Sequence, residues 1–372
     1  MSRFDFAIVG SGMAGAGAAY ELADRGSVLL LERESAHGYH TTGRSAALYI
    51  ETYGNAVIRG LTRSSRAFFE APPEGFCSYP LLTPRGCLYI ARSDQAGALA
   101  AMAAEAEATT EALSRDEVLA LVPVLRPDYV AGGLLEPAAM DADVEALHQG
   151  FLRGARQRGA EVKLDQEVVA IEAGADGFVL TCVDGATYEA KVVINAAGAW
   201  ADVIAGLAGA APVGLQPMRR TAAVFDAPQG IDARAWPAVI DVDEQFYFKP
   251  EAGRILASPA DETPSDPCDA WADDMDVAIC IDRIQAAADL PVQRIVRSWA
   301  GLRSFVADRS PVIGFDDKVP GFFWLAGQGG YGVQTAPAAA RTAAALALGE
   351  PLPADVAANE VSAESLSPNR LR

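Results

Sequence analysis

Residues 4–33 read FDFAIVGSGMAGAGAAYELADRGSVLLLER. The apolar run Phe6–Val9 stops at Gly10, and Gly10, Gly12 and Gly15 follow in a Gly-x-Gly-x-x-Gly spacing. A small-residue helical pattern then runs to Leu22, and a second apolar run, Val28 to Leu31, ends on Glu32. Strand, tight turn, helix, strand, acid is the order of a dinucleotide-binding unit. Gly10 lets the chain turn sharply, Gly12 lets the backbone approach a pyrophosphate, and Gly15 lets the helix lie against the strand. The helix N-terminus offers free N–H groups and a positive dipole end to phosphates. Glu32 is placed to accept hydrogen bonds from a ribose. Ordinary turn glycines would explain the triplet alone, but not both strands and the closing acid.

The chain has 372 residues, enough for two intertwined domains. Its 51% hydrophobic content is ample for packing, and its formal charge of −19 argues against nucleic acid and anionic membranes as partners. The five cysteines, Cys77, Cys87, Cys182, Cys268 and Cys280, form no CxxC pair, which fits a reducing compartment and no disulfide framework. The three histidines, His37, His40 and His148, have no ligand spacing, so no metal site is expected. No apolar stretch reaches the length of a membrane span, and no leader pattern precedes the first strand, so a cytoplasmic protein without a transmembrane segment is expected.

Further along, Gly38–Ile50 reads as a polar loop that turns helical, and residues 55–70 as an amphipathic helix. Residues 80–92 read as strand, turn, strand. Gly97–Leu113 is alanine-rich and predicted helical, and a shorter helix over Arg115–Leu121 is capped by Ser114. A helix is predicted over 143–158, then strands around 161–164, 168–172 and 178–182, with a hairpin turn at Asp184–Gly185. Ala190–Trp200 is a buried strand entering a small-residue turn. Between Gly214 and Ser258 the pattern becomes antiparallel, forming one wall of a pocket. A long helix is predicted over Asp269–Leu290, a strand over 292–306, a second glycine-rich turn over Ala326–Gln334 and a helix over Thr335–Leu348. The predicted fold class is therefore α/β. A Rossmann-type cofactor domain takes residues 1–75, 143–210 and 306–372. A discontinuous antiparallel-sheet substrate domain takes 76–142 and 211–305.

Several motifs in order carry a resemblance: GSGMAGAGAAYELA with Glu32, TTGRSAA (41–47), VINAAGAWAD (193–202), WAGLRSF (299–305) and AGQGGYGVQTAPA (326–338). The chain resembles the FAD-dependent D-amino acid oxidase family, which includes glycine and sarcosine oxidases. Within it the chain resembles the bacterial D-arginine dehydrogenases, through GYHTTGRSAA, SRAFF, ALHQG, GLQPMRR and FYFKP. The resemblance implies FAD. Its pyrophosphate would sit on Gly10, Gly12, Ala14 and Gly15, and its ribose on Glu32 and Arg33. Thr41, Thr42, Gly43, Arg44, Ser45, Ala46, Ala47 and Leu48 would run along the flavin. Val168 would lie near the adenine, with Gly198 in the small-residue turn. Gly329, Gly330, Tyr331, Gly332, Val333 and Gln334 would cradle the isoalloxazine edge. No cysteine follows SWAGLRSF where relatives tether their flavin, so non-covalent FAD is implied.

An amino acid carboxylate in a dry pocket needs cationic, preferably bidentate, partners. Arg220 and Arg303 match substrate-carboxylate arginines of the family, and Tyr247 a tyrosine on the same carboxylate. Tyr53 matches a tyrosine near the amine and pocket lid, and Gly330 a carbonyl that holds the amine. Strand alternation lets only one of Arg219 and Arg220 face the pocket. The departures are Cys87 for the glutamate that holds a guanidinium, Leu48 for an active-site histidine, and Ile50 for a threonine. Ala238 and Ile240 complete the side-chain pocket. A cationic side chain would meet no anion there, and burying it unpaired costs several kcal/mol. The implied reaction is hydride transfer from Cα–H to flavin N5 of a neutral or apolar D-amino acid. The imino acid then hydrolyses to a 2-oxo acid and ammonia, and oxygen or a quinone takes the electrons. No histidine stands ready as base, so solvent or the substrate itself is expected to lose the proton. An amine, sarcosine-like or 2-hydroxy acid oxidase stays open within the same chemistry. An NAD enzyme would leave the late glycine turn without a role, and a flavin-bearing scaffold would leave Arg220, Tyr247 and Arg303 without one.

Overall fold

The computed structural model describes residues 2–106, 109–174, 176–228 and 230–372. Among these residues the strands form three sheets. The first is built on Ser2–Val9, which pairs in parallel with Val28–Leu31 on one side and Thr187–Asn195 on the other. Glu161–Lys163 extends it in parallel beyond Val28–Leu31. Phe322–Ala326 joins Thr187–Asn195 in parallel, and Val312–Phe315 pairs antiparallel with it. Val168–Gly174 and Gly177–Cys182 complete an antiparallel edge. The central strands are buried on both faces, as their near-continuous apolar sequences require.

Helices cover one face of this sheet. Met13–Leu22 packs against Val144–Gln157 and Ala336–Ala347 in one apolar core. Small residues permit the close approach: a Cβ on Gly17 would lie 2.9 Å from the Ala340 Cβ. Ala56–Glu70 is capped by Asn55, whose side chain accepts the Ile58 amide.

The second sheet has nine strands, in the order Thr263–Pro264, Gln216–Asp226, Arg254–Ser258, Tyr247–Glu251, Ala238–Asp241, Cys87–Ala91, Gly132–Glu136 and Glu111–Ser114, with Ile295–Phe305 against Gln216–Asp226. It is not wholly antiparallel, because Ala238–Asp241 runs parallel to Cys87–Ala91. A small third sheet joins Leu48–Tyr49, Met140–Ala142 and Leu82–Pro84.

Three predicted elements differ. The helix over 97–113 is Ala96–Glu105, and Glu111–Ser114 is a strand, captured by pairing with Gly132–Glu136. Residues 107 and 108 of that range lie outside the described residues. The helix over 269–290 is shorter, Asp274–Ala287, because Asp273 caps it through the Met275 amide. After a single 3-10 turn at Thr42–Arg44, the stretch to Ile50 is extended rather than helical, with Leu48–Tyr49 pairing Met140–Asp141. No helix among the described residues is long and apolar enough to cross a membrane.

Candidate active site

A cleft lined by residues of both large sheets runs from Glu32 to Arg303. Its empty volume, open mouth included, is about 2440 Å³.

The sequence shapes its floor. Gly10 has φ +100°, and a Cβ there would lie 2.5 Å from the Ala196 carbonyl oxygen. Gly12 starts the helix Met13–Leu22 in an extended conformation and makes no side-chain cap of its own. The Met13 amide donates to Thr42 Oγ1 at 3.0 Å. Glu32 is 8% exposed and accepts the Ser11 amide at 2.9 Å and the Glu34 amide at 3.1 Å. At the Glu32 end of the cleft the Arg33 guanidinium lies over the Trp200 ring at 5.1 Å, and the His40 ring lies 4.6 Å from Trp200. Val168, Gly198 and Gln166 line the same end.

Thr41–Ala47 is pinned to the second sheet. Thr41 Oγ1 donates to the Leu302 carbonyl at 2.8 Å, and Arg44 donates to the carbonyls of Ala270 at 2.6 Å and Ala300 at 3.0 Å. The late glycine turn closes the cleft opposite. The Gly329 amide donates to the Ser304 carbonyl at 3.0 Å. Gly329 has φ +53°, and a Cβ on it would lie 2.1 Å from the Phe305 ring. Gln334, buried, bonds both the amide and the carbonyl of Ile50 and the Thr62 hydroxyl. Leu48, Ala46, Gly330, Gly332 and Val333 line this part.

The Arg303 end of the cleft follows from register. Met218 lies opposite Arg303, and Arg220 opposite Gly301. Residues opposite each other, and residues two apart on one strand, share a face. Arg220 and Arg303 therefore share one, while Arg219 turns away to Asp276 at 2.7 Å. Ile240 lies opposite Tyr247, and both line the cleft. Arg220 donates to the Asp261 carbonyl at 2.7 Å and to Glu262 at 3.3 Å. Arg303 differs: its one protein hydrogen bond is to the Tyr53 hydroxyl at 3.5 Å, and no carboxylate among the described residues lies within ion-pair distance. A Cβ on Gly330 would lie 2.8 Å from the Arg303 guanidinium. Burial pushes the Tyr53 phenol up to about 12, with Arg303 pulling it partly back. Tyr53 therefore keeps its proton at neutral pH and acts as a hydrogen-bonding group.

Residues 5–346 match the family model described as FAD dependent oxidoreductase. The chain belongs to the DAO family of FAD-dependent oxidoreductases. Human mitochondrial sarcosine dehydrogenase is 25% identical over 346 residues, covering 87% of this chain and 37% of that protein. The chain thus spans well under half of that relative, and 63% of an uncharacterized Bacillus subtilis oxidoreductase. Glycine oxidase of Geobacillus kaustophilus is 24% identical, with 90% of each chain covered. Its crystal structure superposes with a TM-score of 0.83 at 23% identity, over 94% of this chain and 96% of that one. The L-alpha-glycerophosphate oxidase of Mycoplasma pneumoniae, solved with FAD bound, gives 0.84 at 20%, over 94% and 95%.

The cleft fits FAD: the glycines whose Cβ atoms would collide, the open helix N-terminus and the buried acid at the second strand's end form one continuous floor. Gly10, Gly12, Ala14, Glu32, Arg33, Thr41, Thr42, Arg44, Ser45, Ala46, Ala47 and Gln334 all line it. Five sequence-predicted residues do not. Gly15 sits behind the floor, where a Cβ would lie 1.9 Å from the Gly10 oxygen. The Gly43 amide turns to the Gly38 carbonyl at 2.8 Å. Tyr331 packs edge-on against Tyr53, with ring centroids 4.9 Å apart. Cys87 and Ala238 are paired neighbours inside the second sheet, buried behind Ile50 and Ile240. Burial pushes the Cys87 thiol well up, so it is inert packing. Conversely, Glu244 lines the cleft on the turn between Ala238–Asp241 and Tyr247–Glu251, at φ +52°. The expectation of no anion near the substrate is thus corrected. An acidic turn residue beside Tyr247 was the available signal. The histidines stand at the dinucleotide end: His40 beside Trp200, His37 against Ser11 and His148 on the Ser11 carbonyl.

Proposed function

We propose that this flavoenzyme oxidises the Cα–N bond of a D-amino acid with a neutral or apolar side chain. The observation that carries the reading is Arg303: a guanidinium facing the cleft with no carboxylate partner among the described residues. Such a group calls for an anionic ligand, and a planar carboxylate matches its fork. Arg220, on the same sheet face, and the hydroxyls of Tyr53 and Tyr247 add donors around that carboxylate. Leu48, Ile50 and Ile240 offer an apolar wall to the side chain. The Gly330 carbonyl is available to the amine.

When bound, FAD supplies the hydride acceptor. The arginines fix the carboxylate so that Cα–H has one orientation, a large term in rate. No histidine reaches the substrate end, and Tyr53 holds its own proton. Glu244, exposed at the rim, can receive the proton that an ammonium sheds and pass it to water. Glycine and sarcosine, named in the relatives, make a small or secondary amine acid the second reading. Glu244 keeps a cationic side chain in the test.

The purified protein should be mixed anaerobically with D-leucine, D-methionine, D-phenylalanine, D-proline and D-arginine, with the L-forms of these five, with glycine and sarcosine, and with 2-hydroxy acids. Loss of the flavin's visible absorbance reads the reaction. Fastest bleaching by the apolar D-amino acids supports the proposal, and a clear preference for D-arginine or a 2-hydroxy acid overturns it. Reoxidation by oxygen and by a quinone, compared side by side, identifies the acceptor.

A further inference from the structure

Beneath the glycine turn four side chains form a hydrogen-bond chain that the substrate chemistry does not use. Arg156 Nη2 lies 2.7 Å from His37 Nε2. His37 Nδ1 lies 2.8 Å from Ser11 Oγ, and Ser11 Oγ lies 2.7 Å from Glu32 Oε2. A guanidinium has donors only, so His37 Nε2 must accept from Arg156. The neutral imidazole then carries its proton on Nδ1 and donates it to Ser11 Oγ. The single hydroxyl proton of Ser11 is left for the ionised Glu32. Each proton has one place, and the chain points from a surface arginine to the acid that closes the second strand. Glu32 Oε1 accepts the Glu34 amide and has room for a further donor, and Glu32 lines the cleft.

We propose that neutral His37 is a positioning residue for FAD, holding Ser11 and Glu32 in place for the adenosine ribose, and that its protonation loosens the cofactor. An imidazolium has an N–H at both ring nitrogens, so Nε2–H would oppose Arg156 and two cations would stand side by side. The charged and titratable groups facing His37 are Arg156 and His148 from the helix Val144–Gln157 and Glu32 from the second strand. On its own segment Glu34 and His40 pair with each other at 2.9 Å. Burial first, then Arg156 and His148, hold the His37 pKa below its ordinary 6.5, against the pull of Glu32. The neutral form therefore prevails at neutral pH. The hold on FAD is complete above that lowered pKa and is lost as pH falls through it.

The inference rests on FAD binding and is independent of the substrate reading. Apoprotein is titrated with FAD from about pH 8 to about pH 5, the range where histidine switches, with flavin fluorescence as the readout. The dissociation constant of the unaltered protein should rise about tenfold toward the acid end, the weight of one hydrogen bond to a charged group. His37→Asn keeps a donor toward Ser11 but cannot titrate. It should bind FAD within about threefold of the unaltered protein at neutral pH and lose the slope. His37→Ala should bind about tenfold more weakly throughout. Melting of the apoproteins separates this from failure to fold. A slope that persists in His37→Asn, or that vanishes in His40→Gln, overturns the proposal, as does unaltered affinity in His37→Ala.

Discussion

At the scale of single residues, Arg303 carries most of the functional argument, and its replacement gives the sharpest prediction. Lysine keeps the charge but not the planar fork, so Arg303→Lys should lower kcat/KM for the amino acid by about 10- to 100-fold, the weight of a charge-assisted hydrogen bond. The loss should appear mainly in KM, with FAD still bound; steady-state kinetics and the flavin spectrum check both. Arg220 and Arg303 were legible in the sequence through the family resemblance; alternation on a strand added only that one of Arg219 and Arg220 could face the pocket. Ala238 was expected in the pocket with Ile240 through the same resemblance. It lies two residues before Ile240 and so shares its face, yet alternation says nothing of distance along the strand, and Ala238 falls short of the cleft beside Cys87. Glu244 stayed hidden for another reason. An acid in a turn is ordinarily solvated, and Glu244 is exposed too; only the fold of the hairpin brings it to the rim of the cleft.

At the scale of elements, long-range pairing decided what local pattern could not. Glu111–Ser114 follows an alanine-rich helix and carries no strand signature of its own, but Gly132–Glu136 offers it an open edge. The turn that carries Glu244 depends on a buried acid in the same way. Asp241 is 0% exposed. Its carboxylate accepts the Asp243 amide at 3.1 Å, Gln95 Nε2 at 3.1 Å and the Tyr129 hydroxyl at 3.2 Å. The Glu244 amide closes the turn on the Asp241 carbonyl at 2.8 Å. Asp241→Asn exchanges an acceptor oxygen for a donor facing other donors, and should cost about 1–3 kcal/mol. Because Glu244 and Tyr247 flank this turn, KM for the amino acid should rise with it. Chemical denaturation reads the first effect and kinetics the second; an unchanged KM would remove Asp241 from any role beyond folding.

At the scale of the whole molecule, the first sheet draws its strands from three separate lengths of chain and the second from two. We propose that the discontinuous division into a cofactor domain and a substrate domain follows these sheets. The opening motif announced a dinucleotide because that information is local; the substrate end is assembled from strands far apart in sequence, so only register could place it. Charge is the property that belongs to the molecule as a whole. The chain carries a formal −19, and FAD brings a negative pyrophosphate to it. Close to the cleft, Arg33 and Arg44 and the helix N-terminus attract the cofactor, but beyond a few ångströms the approaching anion meets net negative charge. The Debye length shortens from about 30 Å at 0.01 M salt to about 8 Å at 0.15 M. Salt therefore screens the distant repulsion more completely than the local attraction. The association rate of FAD with apoprotein, followed by stopped-flow fluorescence, should rise severalfold over that range. A rate that falls with salt would mean that the basic lining of the cleft steers the cofactor in spite of the chain's overall charge.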